Sequence, residues 1–102
     1  MTVLFLDLKN KVLKEELISI GSINMALCEP RDIFTAALKA NAASLVLLHN
    51  HPSGDPEPSK KDIDTTCEMV YLGRMLGIPV LDHIVLGYDS YYSLRDRNRV
   101  KF

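Results

Sequence analysis

Apolar and polar positions follow two different periods along the chain, and the changes of period mark its elements. Val3-Leu4-Phe5-Leu6 is a short apolar run of strand formers. Lys9-Asn10 then supplies a polar turn, and Val12 to Ile20 resumes a partly alternating pattern, so the chain is predicted to open with a β-hairpin. After Gly21 comes a polar connection. Pro30 sits where a first helical residue tolerates a missing N–H. Ile33, Phe34, Ala37 and Leu38 recur at helical spacing and predict a helix from about Pro30 to Asn41 with one buried stripe. Ser44 to Leu48 is a continuous apolar run, as expected of a central strand covered on both faces, and it leads straight into His49.

The segment from Pro52 to Pro58 cannot continue a strand or a helix, because its three prolines remove backbone donors and fix the backbone, so a stiff loop is expected on the strand's end. Ser59 is a good N-cap and Asp62 resembles the acidic partner of a capping box, which predicts a second helix from about Lys60 to Leu76. Ile63, Cys67 and Val70 mark its expected inner face. Gly77 fits the position after a helix end, and Pro79 prevents continuation. Val80 to Leu86 reads as a strand, Gly87 to Ser90 as a turn, and Tyr91 to Leu94 as a short last strand. This order implies a mixed β-sheet flanked by helices, an α/β fold, or α+β by stricter accounting, in a single domain over residues 1–102.

Composition narrows the partners. The 102 residues are 47% hydrophobic and 25% charged, the ordinary globular range. There is no apolar run of about 18 residues and no basic stretch leading into an apolar segment, so a soluble cytoplasmic protein without a membrane partner is expected. Cys28 and Cys67 form neither a disulfide framework nor a CxxC zinc pair, and both read as reduced and partly buried. A formal net charge of -1 does not favour a nucleic-acid partner. Arg95, Arg97, Arg99 and Lys101 make a local basic cluster, but Asp96 interrupts it and a solvated surface segment is the simpler reading.

The chemistry concentrates in residues 49–62. In an extended chain alternate side chains share a face, so His49 and His51 can offer two imidazoles to one ion. Asp62, in the first turn of the next helix, can fold back over the stiff loop as a third ligand. Two histidines and an aspartate leave one tetrahedral position open, the arrangement of a catalytic zinc site, although the ligand types also suit manganese, iron, cobalt or nickel. By itself an HxH pair is weakly specific: the histidines could be polar residues at a strand's mouth, and Ser59 with Asp62 only a helix cap. The combination of buried strand, stiff loop and fixed spacing favours the metal.

These residues fill the pattern H-x-H-x7-S-x2-D and thereby resemble the JAMM (MPN+) metalloprotease motif. The longer form HNHPSGDPxPSxxD is similar to the RadC family, long labelled as DNA-repair proteins. The likeness extends through Gly21-Ser22, Pro30-Arg31, Ala42-Ala43 and Asp82-His83. It implies a JAMM/MPN-like, cytidine-deaminase-like architecture and one Zn2+ held by His49, His51 and Asp62. It also implies oxyanion stabilisation by Ser59 and a glutamate as general base. Glu16 is the first choice for that base and Glu15 the runner-up, since the two point to opposite faces of one strand. Complete RadC proteins resemble a longer chain with an N-terminal helix-hairpin-helix region, which has no counterpart here and weakens a DNA-related role.

Of the remaining polar residues, His83 reads as a hydrogen-bonding histidine behind the ligands more than as a fourth ligand. Asn50 and Ser53 could position substrate or hold the loop, and Asp55 belongs to turn chemistry. The contiguous His-Asn-His is not an HNH nuclease site, which draws its residues from separate elements. The expected function is zinc-dependent hydrolysis of a peptide or protein substrate. The alternative is a DNA-repair-associated or protein-interaction module that keeps the metal for structure.

Overall fold

A computed structural model describes residues 1–18 and 29–102. Its elements are β1 (Thr2–Leu6), β2 (Val12–Leu17), α1 (Pro30–Lys39), β3 (Ser44–Asn50), α2 (Lys60–Leu76), β4 (Val80–Leu86) and β5 (Tyr91–Ser93). The fold is α+β: a mixed five-stranded sheet of order β2-β1-β3-β4-β5, with β3 and β4 parallel and the other pairings antiparallel. The predicted hairpin forms, but β2 ends at Leu17. Ile18, past the strand end, still donates its N–H to the Met1 carbonyl at 3.0 Å, while Ser19 and Ile20 of the expected span, the connection after Gly21, the Gly21-Ser22 step and Cys28 lie outside the described residues.

Register partners share a face of a sheet. The pairings Val3↔Leu47, Phe5↔Leu45, Leu47↔His83, His49↔Val85 and Val85↔Tyr92 therefore place all these residues on one face. Each is buried, and together with Ile33, Phe34 and Ala37 of α1 and Met69 and Val70 of α2 the apolar members form the core. Both helices thus cover the same face. That follows from handedness: β2 to β3 and β3 to β4 are parallel connections advancing in the same direction across the sheet, and right-handed crossovers put both helices on one side. On the opposite face Leu4, Val46, Leu48 and Ile84 are half-buried.

Three expectations about the helices and cysteines are corrected. Helix α1 ends at Lys39, because Ala40 caps it and Asn41 turns left-handed at φ 55°. Leu38 is 62% exposed and not part of the buried stripe, since it lies about 100° around the helix from Ala37. On α2 the inward row is Asp62, Thr66, Met69, Val70 and Gly73, whereas Cys67 is exposed and Ile63 only half-buried. The inward turn of Asp62 fixes the rotation of α2 and carries Cys67 out to solvent. In β5, Leu94 lies one residue past the strand end yet is fully buried.

Candidate metal centre

β3 and α2 bring the three candidate ligands together. Because β3 is central, with β1 on one side and β4 on the other, His49 near its end is 2% exposed. The chain then leaves the sheet, but the His51 N–H still donates to the Leu86 carbonyl at 3.0 Å, which continues the β4 pairing by one step. The two imidazoles lie on one side as alternation requires, with ring centroids 4.9 Å apart and planes nearly perpendicular. The proline loop returns the chain to Ser59, whose hydroxyl accepts from the Asp62 N–H at 3.0 Å while Asp62 Oδ2 accepts from the Ser59 N–H at 2.8 Å. This reciprocal capping box starts α2 and buries the Asp62 carboxylate to 1% exposure.

Atom by atom, the three side chains make a poor hydrogen-bonded cluster and a good cation cradle. His51 Nδ1 lies 3.0 Å from the Asp55 carbonyl, which can only accept, so Nδ1 carries a proton. In the neutral ring Nε2 is then a lone pair, and it faces Asp62 Oδ2 at 3.1 Å. Two acceptors at that distance require a cation between them, either a proton or a metal ion. His49 Nδ1 lies 3.5 Å from Asp62 Oδ1. Neither of these atoms, nor His49 Nε2, has a hydrogen-bond partner although all are buried. Ligand atoms of His49, His51 and Asp62 lie within 4.8 Å of one another. The donor set could hold one metal ion, and its unsatisfied atoms are what such an ion would satisfy.

Protonation favours the same role. Burial holds the His49 pKa below that of a free histidine, although the Asp62 carboxylate pulls the other way, so the ring is neutral at pH 7 and its lone pair available. Burial works to raise the Asp62 pKa. The Ser59 N–H, then the His49 ring, the Ser59 hydroxyl and His51 outweigh it and hold the carboxyl below its ordinary range, hence ionised.

Behind the ligands, Thr66 Oγ1 donates to the Asp62 carbonyl at 2.6 Å, so its oxygen accepts from His83 Nδ1 at 2.6 Å. His83 is fully buried, its ring stacked 5.9 Å from that of His49, and it stands outside the ligand cluster. Burial, reinforced by His49, lowers its pKa to about 3 against the pull of Asp62. Asp82 grips the neighbouring turn, accepting from Ser93 Oγ at 2.5 Å and from the His83 and Arg95 N–H groups.

Glu16 pairs with Val3, which pairs with Leu47, so Glu16 points to the face that carries His49 while Glu15 points to the other. Its carboxylate is 31% exposed, sits 3.2 Å from Lys14 Nζ, and lines a cleft against Asp32 and Thr35 of α1. It lies two strands from His49, roughly 10 Å across the sheet, and is not part of the ligand cluster. Ser59 is solvent-exposed. Asn50 is exposed at the end of β3, and Ser53 holds the loop by accepting from the Asp55 N–H at 3.3 Å. Asp55 is a turn residue as expected, accepting from the Glu57 N–H, but its carbonyl also orients His51. The basic cluster is turned to internal use: Arg95 donates to the Leu81 carbonyl, Arg99 to Glu57 and the Tyr92 hydroxyl, and Arg97 lies 4.7 Å over the Tyr92 ring. Sequence reasoning missed Thr66, whose only signal is its place one helical turn after Asp62.

Known proteins share this arrangement of sequence. A UPF0758 protein of Methanosarcina mazei is 51% identical over 98 residues, which is 96% of this chain and 43% of that protein. A UPF0758 protein of Methanosarcina barkeri is 52% identical over 98 residues, and one of Halalkalibacterium halodurans 43% over 99 residues, again covering 43% of each relative. The chain therefore spans less than half the length of these relatives. Residues 1–99 match the family described as the RadC-like JAB domain, and that match contains both histidines, the aspartate and every strand that positions them. On the strength of that span and these identities, the chain belongs to the RadC-like JAB domain family.

Proposed function

We propose that this domain is a zinc-dependent hydrolase of peptide or isopeptide bonds, with one ion held by His49, His51 and Asp62. The observation that carries the reading is the part-buried confrontation of His51 Nε2 with Asp62 Oδ2 at 3.1 Å, beside a buried, neutral His49 ring with no hydrogen-bond partner. Three protein ligands leave a fourth position open, as catalytic sites do. A zinc ion held by these residues would supply Lewis acidity and would lower the pKa of water to about 7. Glu16, on the ligand face, takes the proton from the attacking water and returns it to the leaving amine nitrogen as the C–N bond breaks. Ser59, solvent-exposed beside the cluster, turns its O–H from the Asp62 carboxylate to the carbonyl oxygen as charge develops there. The net charge of -1 and the internal commitments of Arg95 and Arg99 support a peptide over a polyanion as partner.

The test begins with metal analysis of the purified protein and zinc titration of the metal-free form. Stoichiometric binding that His49→Ala and Asp62→Ala each weaken at least tenfold is expected. Absence of binding in the wild type sinks the proposal. Glu16→Gln should then abolish turnover of an isopeptide substrate while leaving zinc and fold in place. If zinc removal instead unfolds the domain and no turnover depends on Glu16, the metal is structural and the module reading stands.

A further inference from the structure

His51 is the one proposed ligand outside the regular elements, since β3 ends at Asn50 and α2 begins at Lys60, and β4 holds it by its N–H alone, through Leu86. Its backbone is fixed by the turn that follows: the Gly54 N–H donates to the His51 carbonyl at 3.0 Å, and the Asp55 carbonyl takes the His51 Nδ1 proton. What fixes that turn comes from across the sheet. The Tyr88 N–H donates to the Gly54 carbonyl at 3.2 Å, and the Tyr88 hydroxyl donates to the Pro52 carbonyl at 3.0 Å.

Shape enforces the same contact. Gly54 has φ 83°, and a Cβ there would fall inside the Tyr88 ring, so the ring occupies the space a side chain would take. A Cβ on Gly87 would in turn collide with the Gly54 carbonyl oxygen. Two glycines from distant parts of the chain therefore let the 52–55 turn and the Gly87–Tyr88 corner approach backbone to backbone, with the tyrosine closed over the join.

We infer that Tyr88 is a positioning residue for the metal ligand His51, latching the 52–55 turn through Gly54 and Pro52 so that the imidazole faces Asp62. This inference rests on the metal reading above. Tyr88 is 78% exposed and buries little apolar surface, so it contributes little to global stability, while its hydroxyl, its N–H and its ring all meet this turn. Without the latch the turn gains conformational freedom, and ordering it must be charged to metal binding.

Two measurements test it on the metal-free protein: zinc affinity by competition with a chromophoric chelator, and amide hydrogen exchange without zinc. Tyr88→Ala is expected to weaken zinc binding about 10- to 100-fold, the usual effect of losing a group that orients a ligand. It should also speed exchange in residues 51–57 while leaving the melting temperature within about 3 °C of the wild type. Tyr88→Phe keeps the ring over Gly54 and loses only the bond to Pro52, and should restore part of the affinity. Tyr71→Ala, at an exposed site on α2, should match the wild type. Unchanged affinity or unchanged loop exchange in Tyr88→Ala overturns the inference, and so does faster exchange spread over the whole chain. If the wild type binds no zinc, the metal reading fails, while the loop exchange still decides whether Tyr88 holds His51.

Discussion

Asp62 Oδ2 and Ser59 Oγ each serve twice: the carboxylate oxygen caps a helix and faces His51, and the hydroxyl caps the same helix while its proton helps hold the Asp62 carboxylate ionised. Ser59→Ala removes one of the two capping bonds but leaves the other, because the Ser59 N–H is backbone. The expected cost is about 1 kcal/mol of folding stability, read from urea unfolding. Zinc affinity should fall little, since Asp62 remains anchored by that N–H. A loss of several kcal/mol would mean that the box holds far more than the helix start. Residues of this kind were legible in the sequence because their partners lie within a few positions: alternation explains the histidine pair, and three-residue spacing explains the cap. Thr66 and Tyr88 were not legible. Their partners, His83 and Pro52, are 17 and 36 positions away, and nothing local encodes such meetings.

Elements were legible to within a residue or two wherever a cap or a proline fixed the end. Helix α2 runs from Lys60 to Leu76 between the expected Ser59 and Gly77, and Gly77 takes the left-handed conformation at φ 73°. The rotation of α2 was not legible, because hydrophobicity alone weighs Cys67 above Asp62 and Thr66. Turning Asp62 inward also brings Gly73 onto the strand side, where a Cβ would lie 2.6 Å from the Ile78 carbonyl oxygen. Gly73→Ala sets a gain in helix propensity of at most about 1 kcal/mol against a collision with backbone that cannot swing away. Net destabilisation of about 1–3 kcal/mol is expected, as for overpacked cores. The melting temperature should drop by several degrees; a rise would show that α2 and the Ile78 segment can separate freely.

For the whole molecule, sheet order and the burial of one face decide the response to acid. His83 is neutral with a pKa near 3 when folded, against 6.5 in the unfolded chain, and His49 is shifted in the same direction. Unfolded protein therefore binds more protons than folded protein below about pH 6.5, and stability must fall with pH from there toward 3. Each pH unit between the folded and unfolded pKa values is worth about 1.4 kcal/mol, so the loss reaches several kcal/mol. Asp62, with its own lowered pKa, adds to the loss at the acid end. Urea unfolding of metal-free protein across pH 4 to 8 checks this, and His83→Gln should flatten the slope; a flat wild-type profile would contradict the burial of His83. Among the described residues no helix is long and apolar enough to cross a membrane.

The ligands, Thr66, His83 and the Gly87–Tyr88 corner all fall within one unbroken stretch, from β3 through β4 to the corner that follows it. Glu16 alone comes from the opening hairpin. In terms of inheritance, one continuous segment carries the proposed ligands and the side chains that orient them, whereas the proposed base has to be retained separately. On the proposed reading, exchange of the hairpin glutamate leaves the cradle undisturbed, and metal binding and hydrolysis are separable.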